Sequence, residues 1–537
     1  MGFWVRGGRT RGGCELVRRA FWISALATGL TLASSIVGLA SVAVTTVSQE
    51  PSPIASCNNN SQPGRNFPSG EAEPQIAVFG SGATQKMIGV WHQDRWSNGG
   101  AHGIGFAVAT GGTWGNQSVF PSTVCTTASQ DPLHMYQRSS DPWVSFGPDG
   151  VAYASVLSFN STNNENAVVV GAMDKSATSW RNVTTIDGSV FHTVQNSTDK
   201  NSTTADPIHA GTAYTVWDTL ILATDQPDDN PHTQAYTGPA YFSKTTDGGK
   251  TWSTAQVIID TNNRQQTIGN IIVVDPKTGF LYDFTDLIIS PNTPFRGTHS
   301  NAQLAFVKST NGGATWTQPQ IIAPFNSLGV HDPNTGQLLR VGDGLEEVAI
   351  DANGKLYVVW ESSTNFVKND KQSVGLWDDE ILLATSDNGG ATWSGPTVFK
   401  TLASGLPTFT PTVAVNGSRV AITWYDNRNL HSGQIANLPT DYWVKVSNDG
   451  GKTWGSDQHI AGPFDQLSAP FARGFFLGDY EGLQPGGTGF VALFVATNCI
   501  SADGGVTFSG QCGPANNSLT PHPGNTNPTD VFAATIS

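Results

Sequence analysis

Five octamers with one skeleton recur along the chain: TTDGGKTW at 245 to 252, STNGGATW at 309 to 316, SDNGGATW at 386 to 393, SNDGGKTW at 447 to 454 and SADGGVTF at 501 to 508. Repetition of this fidelity means that the chain is assembled from one supersecondary unit used several times. The third position holds Asp247, Asn311, Asn388, Asp449 or Asp503, a side chain that accepts hydrogen bonds from its own turn. The glycine at the fifth position supplies a positive φ, and Thr and Trp open the return strand. The Trp reads as a plug between sheets, so the octamer is a scaffold device and not the site.

A second repeat runs out of phase with the first. EPQIAV, DPWVSFGPDGVAYAS, DPIHAGTAYTVWD, NIIVVDPKTGFLYDF, EEVAIDANGKLYVVWE, TPTVAVNGSRVAITWYD and DYEGLQPGGTGFVALFV begin at 73, 141, 206, 270, 346, 410 and 479. Most read as strand, glycine-containing turn and strand. The spacing suits a four-stranded sheet, and such units predict an all-β, seven-bladed β-propeller over residues 71–537. The last unit stops after DVFAATIS at 530 to 537, the third strand of its blade. A ring-closing outer strand is therefore expected from the N-terminal side, around residues 58 to 70 of a linker spanning 49–70.

The octamers resemble Asp boxes, the BNR repeats of the sialidase superfamily, over about residues 70 to 537. That resemblance implies a propeller, with the six blades usual in sialidases as the alternative count, and a glycoside hydrolase acting on glycans, exo-alpha-sialidase included. A non-catalytic propeller that binds a glycan or a cell-envelope or matrix protein is the other reading.

Composition narrows the partners. Residues 1–48 carry five arginines followed by an uncharged stretch from Ala20 to Ser48, which reads as an export signal or an N-terminal membrane anchor. Beyond it stand 23 basic against 41 acidic residues, a balance that argues against nucleic acid or an anionic membrane as partner. Four cysteines, Cys57, Cys125, Cys499 and Cys512, lie in the exported part, where disulfides are favoured over metal binding. Cys499 and Cys512 flank one loop and are the preferred pair. No cofactor is expected. Loop acids Asp225, Asp228, Asp229, Asp378, Asp379 and Glu380 offer oxygen ligands for calcium, with a solvated acidic loop as the alternative.

In an up-and-down blade the octamer turns lie on one face and the longer connections on the other, beside the mouth of the central channel. Most arginines beyond the signal, among them Arg95, Arg296, Arg340, Arg428 and Arg473, fall on the long-loop face with a set of acids. Arginine suits planar recognition of carboxylates, so this face is expected to handle an anionic group. Pairing of these charges with one another, tying blades together, is the structural alternative.

Sialidases use an arginine trio, a tyrosine nucleophile assisted by glutamate, and an aspartate acid/base. The resemblance implies Tyr480 in GDYEGL as nucleophile, Glu346 or Glu347 as its assistant and, as acid/base, Asp94 in WHQDR or a role for His102. It implies Arg95, Arg296, Arg340, Arg428 and Arg473 as substrate ligands. Three departures stand against it: Glu361 occupies the place of a trio arginine, no F-R-I-P segment lies near the first blade, and no aspartate follows Arg95.

Overall fold

Four of the octamers fold as closed turns between a third and a fourth strand. Asp449 Oδ1 accepts from the Thr453 amide at 2.8 Å and Oδ2 from its hydroxyl at 2.6 Å, and Asp247 does the same with Thr251. At Asn311 and Asn388 the amide group replaces the carboxylate: Oδ1 accepts the backbone N–H and Nδ2 donates to the threonine hydroxyl. The tryptophan then packs onto the preceding sheet: Trp316 lies 5.4 Å from Phe242, Trp393 5.8 Å from Phe306 and Trp454 4.8 Å from Phe399. Gly313 and Gly390 lie so close to Phe242 and Phe306 that a Cβ would collide with the rings. Both glycines also hold positive φ.

These observations come from a computed structural model that describes residues 42–59, 61–224, 236–289, 302–326, 329–342, 344–368, 375–402, 405–497 and 529–537. Residues 41 to 537 form one compact unit. The fifth octamer with Asp503, and the Cys499 and Cys512 pair, lie outside the described residues.

The strands group in antiparallel fours. Ala72–Phe79, Lys86–Arg95, Ala101–Thr110 and Ser118–Phe120 form the first group, and Arg138–Phe146, Ala152–Phe159, Asn166–Met173 and Arg181–Thr185 the second. The pattern repeats with innermost strands Asn196–Ala205, Gln265–Val274, Glu347–Ile350, Thr408–Asn416 and Gly482–Gly486. Each innermost strand packs against the next, and the last packs against the first. A closed ring of radial sheets is a β-propeller.

The second strands are buried on both faces, which is why they read as apolar runs such as YVVW and VALFVA. Core lies between neighbouring sheets: Tyr357, Val359, Ile381 and Leu383 of one group pack with Val413, Val420, Ile422 and Trp424 of the next. Trp91, Trp217, Trp360 and Trp424, all on second strands, are fully buried.

Two expectations are corrected. The third innermost strand is Asn196–Ala205, not a strand starting at 206. Asp206 instead caps the turn that follows, accepting from the amides of Ile208 and His209 and from the Tyr214 hydroxyl. The strand NSTDKNSTTA has no apolar alternation, and it was eclipsed by the better-patterned segment after it. Secondly, the outer strand beside Asp530–Ile536 is Ala43–Thr46, paired from Ala43↔Thr535 to Thr46↔Phe532, not the segment at 58 to 70. Four residues of the stretch read as signal thus belong to the ring. Among the described residues one disulfide is formed, joining Cys57 to Cys125. No helix among the described residues is long and apolar enough to cross a membrane.

Candidate functional site

The innermost strands carry a shared irregularity at the channel mouth. Ala72–Phe79, Arg138–Phe146, Asn196–Ala205, Gln265–Val274 and Thr408–Asn416 each shift register near their first residues. The residues at positive φ there are Glu73, Asp141, Lys200, Gly269 and Thr410. Such bulges re-aim a side chain, and non-glycine residues in this region cost about 1–3 kcal/mol each. The strained positions therefore project Glu73, Asp141 and Lys200 together at one end of the ring.

Lys200 is the hub. Its Nζ lies 2.5 Å from Asp479 Oδ2, 3.7 Å from Glu73 Oε1 and 3.8 Å from Asp141 Oδ1. Burial opposes its charge, but Asp479, Asp141, Glu73 and Asp199 outweigh burial and hold it well above the ordinary lysine value. Burial likewise opposes ionisation of Asp479, yet Lys200 and Arg340 pull that carboxyl far below the usual range. Glu73 and Asp141 are pushed up by burial. His92 Nε2 lies 3.0 Å from Glu73 and accepts the Asp141 amide at 3.2 Å. Burial, followed by Arg95, holds this imidazole neutral.

Three cavities meet at Lys200. The largest, of about 380 Å³, is lined by Arg95, Arg340, Arg473, Lys200, Asp141 and Asp199 among others. A second, of about 240 Å³, adds Asp286 and Asp479. The third has room for about one water and is lined by Tyr480, Glu346, Glu347, Asn270 and Trp143.

Separate elements deliver the arginines. Arg95 ends the second strand of the first group; Arg340 sits on Leu339–Arg340, which pairs in parallel with Phe475–Phe476. Both guanidinium groups stack on Phe476, at 4.7 and 4.4 Å. Burial and then the neighbouring Arg340 bring Arg95 down to about 10. Arg473, at positive φ, stands exposed at the rim.

Asp199 is exposed to the cavities but lies deep in the mouth, facing Asp141, Lys200, Asp218 and Arg340; the crowding of protein around it, and then Asp141, raise it to about 6. Glu347 is raised to about 8 by burial. Tyr480 is 6% exposed, packs at a tilt with its ring centroid 5.2 Å from that of Trp143, and donates its hydroxyl to the Pro142 carbonyl at 3.2 Å. Burial and then Glu73 push the phenol well above its ordinary value.

The structure thus brings Tyr480, Glu346, Glu347, Arg95, Arg340 and Arg473 to one mouth. It sets two other candidates apart. Asp94 accepts from the Ser69 amide and the Ser52 hydroxyl, away from the cavities. Arg428 pairs with Asp426 and Asp457 and lies over Trp443. Arg296 lies outside the described residues. Trp96 and Tyr425 are buried and offer no ring for glycan stacking.

Sequence reasoning passed over Lys200, Asp199 and His92. Pro74, Pro142 and Pro411 follow the bulged residues Glu73, Asp141 and Thr410, where a residue without an N–H costs the ladder nothing. Lys200 sits at the same place with Asn201 after it, so no proline marks that position.

No protein-family model matches the sequence, and no curated protein matches it. Among solved structures, the phage phi92 endosialidase is 11% identical, covering 94% of this chain and 71% of that one, with a TM-score of 0.43. The Hadza microbial sialidase Hz136 is 11% identical, covering 81% and 74%, with a TM-score of 0.42. The alpha-L-arabinanase of Penicillium chrysogenum, complexed with arabinobiose, is 11% identical, covering 71% and 94%, with a TM-score of 0.39. The chain is an all-β propeller similar to sialidases. At these scores the likeness concerns the fold only, and any activity of this propeller has to be argued from its own mouth.

Proposed function

We propose that this propeller is an exported, sialidase-like glycoside hydrolase that takes the anionic end of a glycan into the channel mouth. The observation that carries this reading is the convergence of Arg95, Arg340, Arg473 and Lys200 on one cavity of about 380 Å³. Four cations from four segments, held beside buried carboxylates, suit a carboxylated sugar better than a neutral one. The strand groups are the blades of a seven-bladed ring in this proposal.

Asp199, raised to about 6, is suited to donate a proton to a leaving oxygen, and Asp479 stays ionised beside Lys200 to balance developing positive charge. Tyr480, lining a cavity with Glu346 and Glu347, is the proposed nucleophile. An exo-alpha-sialidase fits these roles, with a glycoconjugate as substrate.

The test is release from a fluorogenic α-sialoside by the purified chain from residue 42, beside Arg340→Ala, Tyr480→Phe and a neutral glycoside. Turnover of the sialoside that falls at least about a hundredfold in both variants is the expected result. Turnover that survives Tyr480→Phe sinks the nucleophile assignment. A second reading, binding without turnover, is favoured by the Tyr480 hydroxyl, which is committed to the Pro142 carbonyl. It predicts saturable binding of sialosides with no product.

A further inference from the structure

The seam where the ring closes collects acids from three separate segments. Glu50 comes from the N-terminal segment, Glu71 from just before the first innermost strand, and Asp530 from the last strand group. Each offers a carboxylate oxygen, and the three oxygens all lie within 4.8 Å of one another. Asp94 stands close enough to act on the charge of Glu50 and Glu71.

No lysine or arginine among the described residues forms an ion pair with Glu50, Glu71 or Asp94; the histidine His102 lies 3.8 Å from Asp94. Hydrogen bonds satisfy part of the set: Ser48 donates to Asp530, Ser69 to Glu50 and Gln93 to Glu71. One buried oxygen remains unsatisfied. Glu71 is wholly buried, and its Oε2 has no hydrogen-bond partner among the described residues. A buried carboxylate oxygen with neither donor nor counter-ion is costly, and a bound cation would relieve it.

We propose that Glu50, Glu71 and Asp530 bind a divalent cation of the calcium type that fastens the N-terminal segment to the seam of the ring. The donor set is oxygen only, which suits a hard cation and not zinc or copper. Calcium accepts carboxylates in irregular geometry, whereas magnesium keeps several waters, for which a largely buried site has little room. Glu50 is exposed and provides the way in. The site differs from the other close group of potential ligands, Glu73, His92 and Asp141, because there the Lys200 ammonium already supplies the positive charge.

The experiment uses the chain from residue 42, stripped with chelator, with calorimetric titration and melting in CaCl2, MgCl2 or NaCl at matched ionic strength. Calcium is expected to bind at one equivalent and raise the melting temperature by about 3 °C or more at saturation. Glu50→Gln, at the exposed rim, is expected to weaken calcium binding at least about tenfold while leaving the metal-free melting temperature unchanged. Glu71→Gln is expected to abolish the calcium shift and to melt at or above the parent without metal, since it removes a buried carboxyl crowded by other acids.

No calcium-dependent shift, or a shift matched by NaCl, overturns the proposal. A shift that survives both variants places the cation elsewhere and overturns it as well. None of these readouts involves substrate, so the result is independent of the proposed hydrolase activity.

Discussion

Lys200 shows how one side chain organises a site. With three carboxylates within 4 Å of its Nζ, it keeps Asp479 ionised while Asp199, next in sequence, titrates near 6. Under the hydrolase reading Asp199 acts while protonated, so kcat falls as pH rises through about 6. Asp199→Asn is expected to lose at least about a hundredfold in kcat and the alkaline limb together; a variant that keeps the limb assigns it to another group. Acid sensitivity belongs to the octamer turns. Hydrogen bonds from Thr251 hold Asp247 down at about 2, and the Thr453 hydroxyl and amide do the same for Asp449. Their stabilisation is complete above about pH 4, the ordinary carboxyl value, and is lost as pH falls through about 2. Asn311 and Asn388 make the equivalent bonds without titrating. Asp247→Asn with Asp449→Asn should therefore flatten the fall in melting temperature between pH 4 and 2, and an unchanged slope refutes the assignment.

At the scale of strands and turns, most of the architecture was legible because local chemistry repeats. The Asp/Asn-x-Gly turn, the octamer tryptophan and the strand–turn–strand repeat each have a physical cause within a few residues. What was not legible depends on distant partners. Asn196–Ala205 is polar because its side chains bond across the ring, as Ser202 does to the Asn270 carbonyl and Asn201 to Ser155, so hydrophobic periodicity had nothing to read. The convergence of Arg95 and Arg340 on Phe476 joins three segments far apart in sequence. Ala43–Thr46 was hidden for a different reason: the sequence around it suits both export and strand pairing. That strand carries an expectation of its own. A chain from residue 49 lacks the pairing with Asp530–Ile536 and the Ser48 bond to Asp530, and uncovers a strand edge. It should melt several degrees below a chain from residue 42 and aggregate more readily; equal melting temperatures would show that the strand contributes nothing to closure.

For the whole molecule the decisive event is closing the ring, because each sheet buries its faces only when both neighbours are present. Closure joins the last strand group to the first, and the segment 43 to 57 crosses that seam. One end is held by strand pairing to Asp530–Ile536, the middle by Ser52 to Asp94 and Glu50 to Ser69, and the far end by the Cys57–Cys125 disulfide. The disulfide spans 68 residues, a loop for which the chain-entropy estimate is about 4 kcal/mol. Cys57→Ser with Cys125→Ser should therefore lower stability by about 2–4 kcal/mol, read as a shift in denaturant midpoint. The coupling is the sharper expectation. If the disulfide and Ala43–Thr46 act on the same closure, the disulfide matters most when the strand it tethers is present. In a double-mutant cycle, loss of the disulfide from the chain beginning at residue 49 should then cost less than its loss from the chain beginning at residue 42. Additive losses would mean that Cys57–Cys125 stabilises the first strand group alone, and that the ring is closed by the packing of Gly482–Gly486 against Ala72–Phe79 without help from the N-terminal segment.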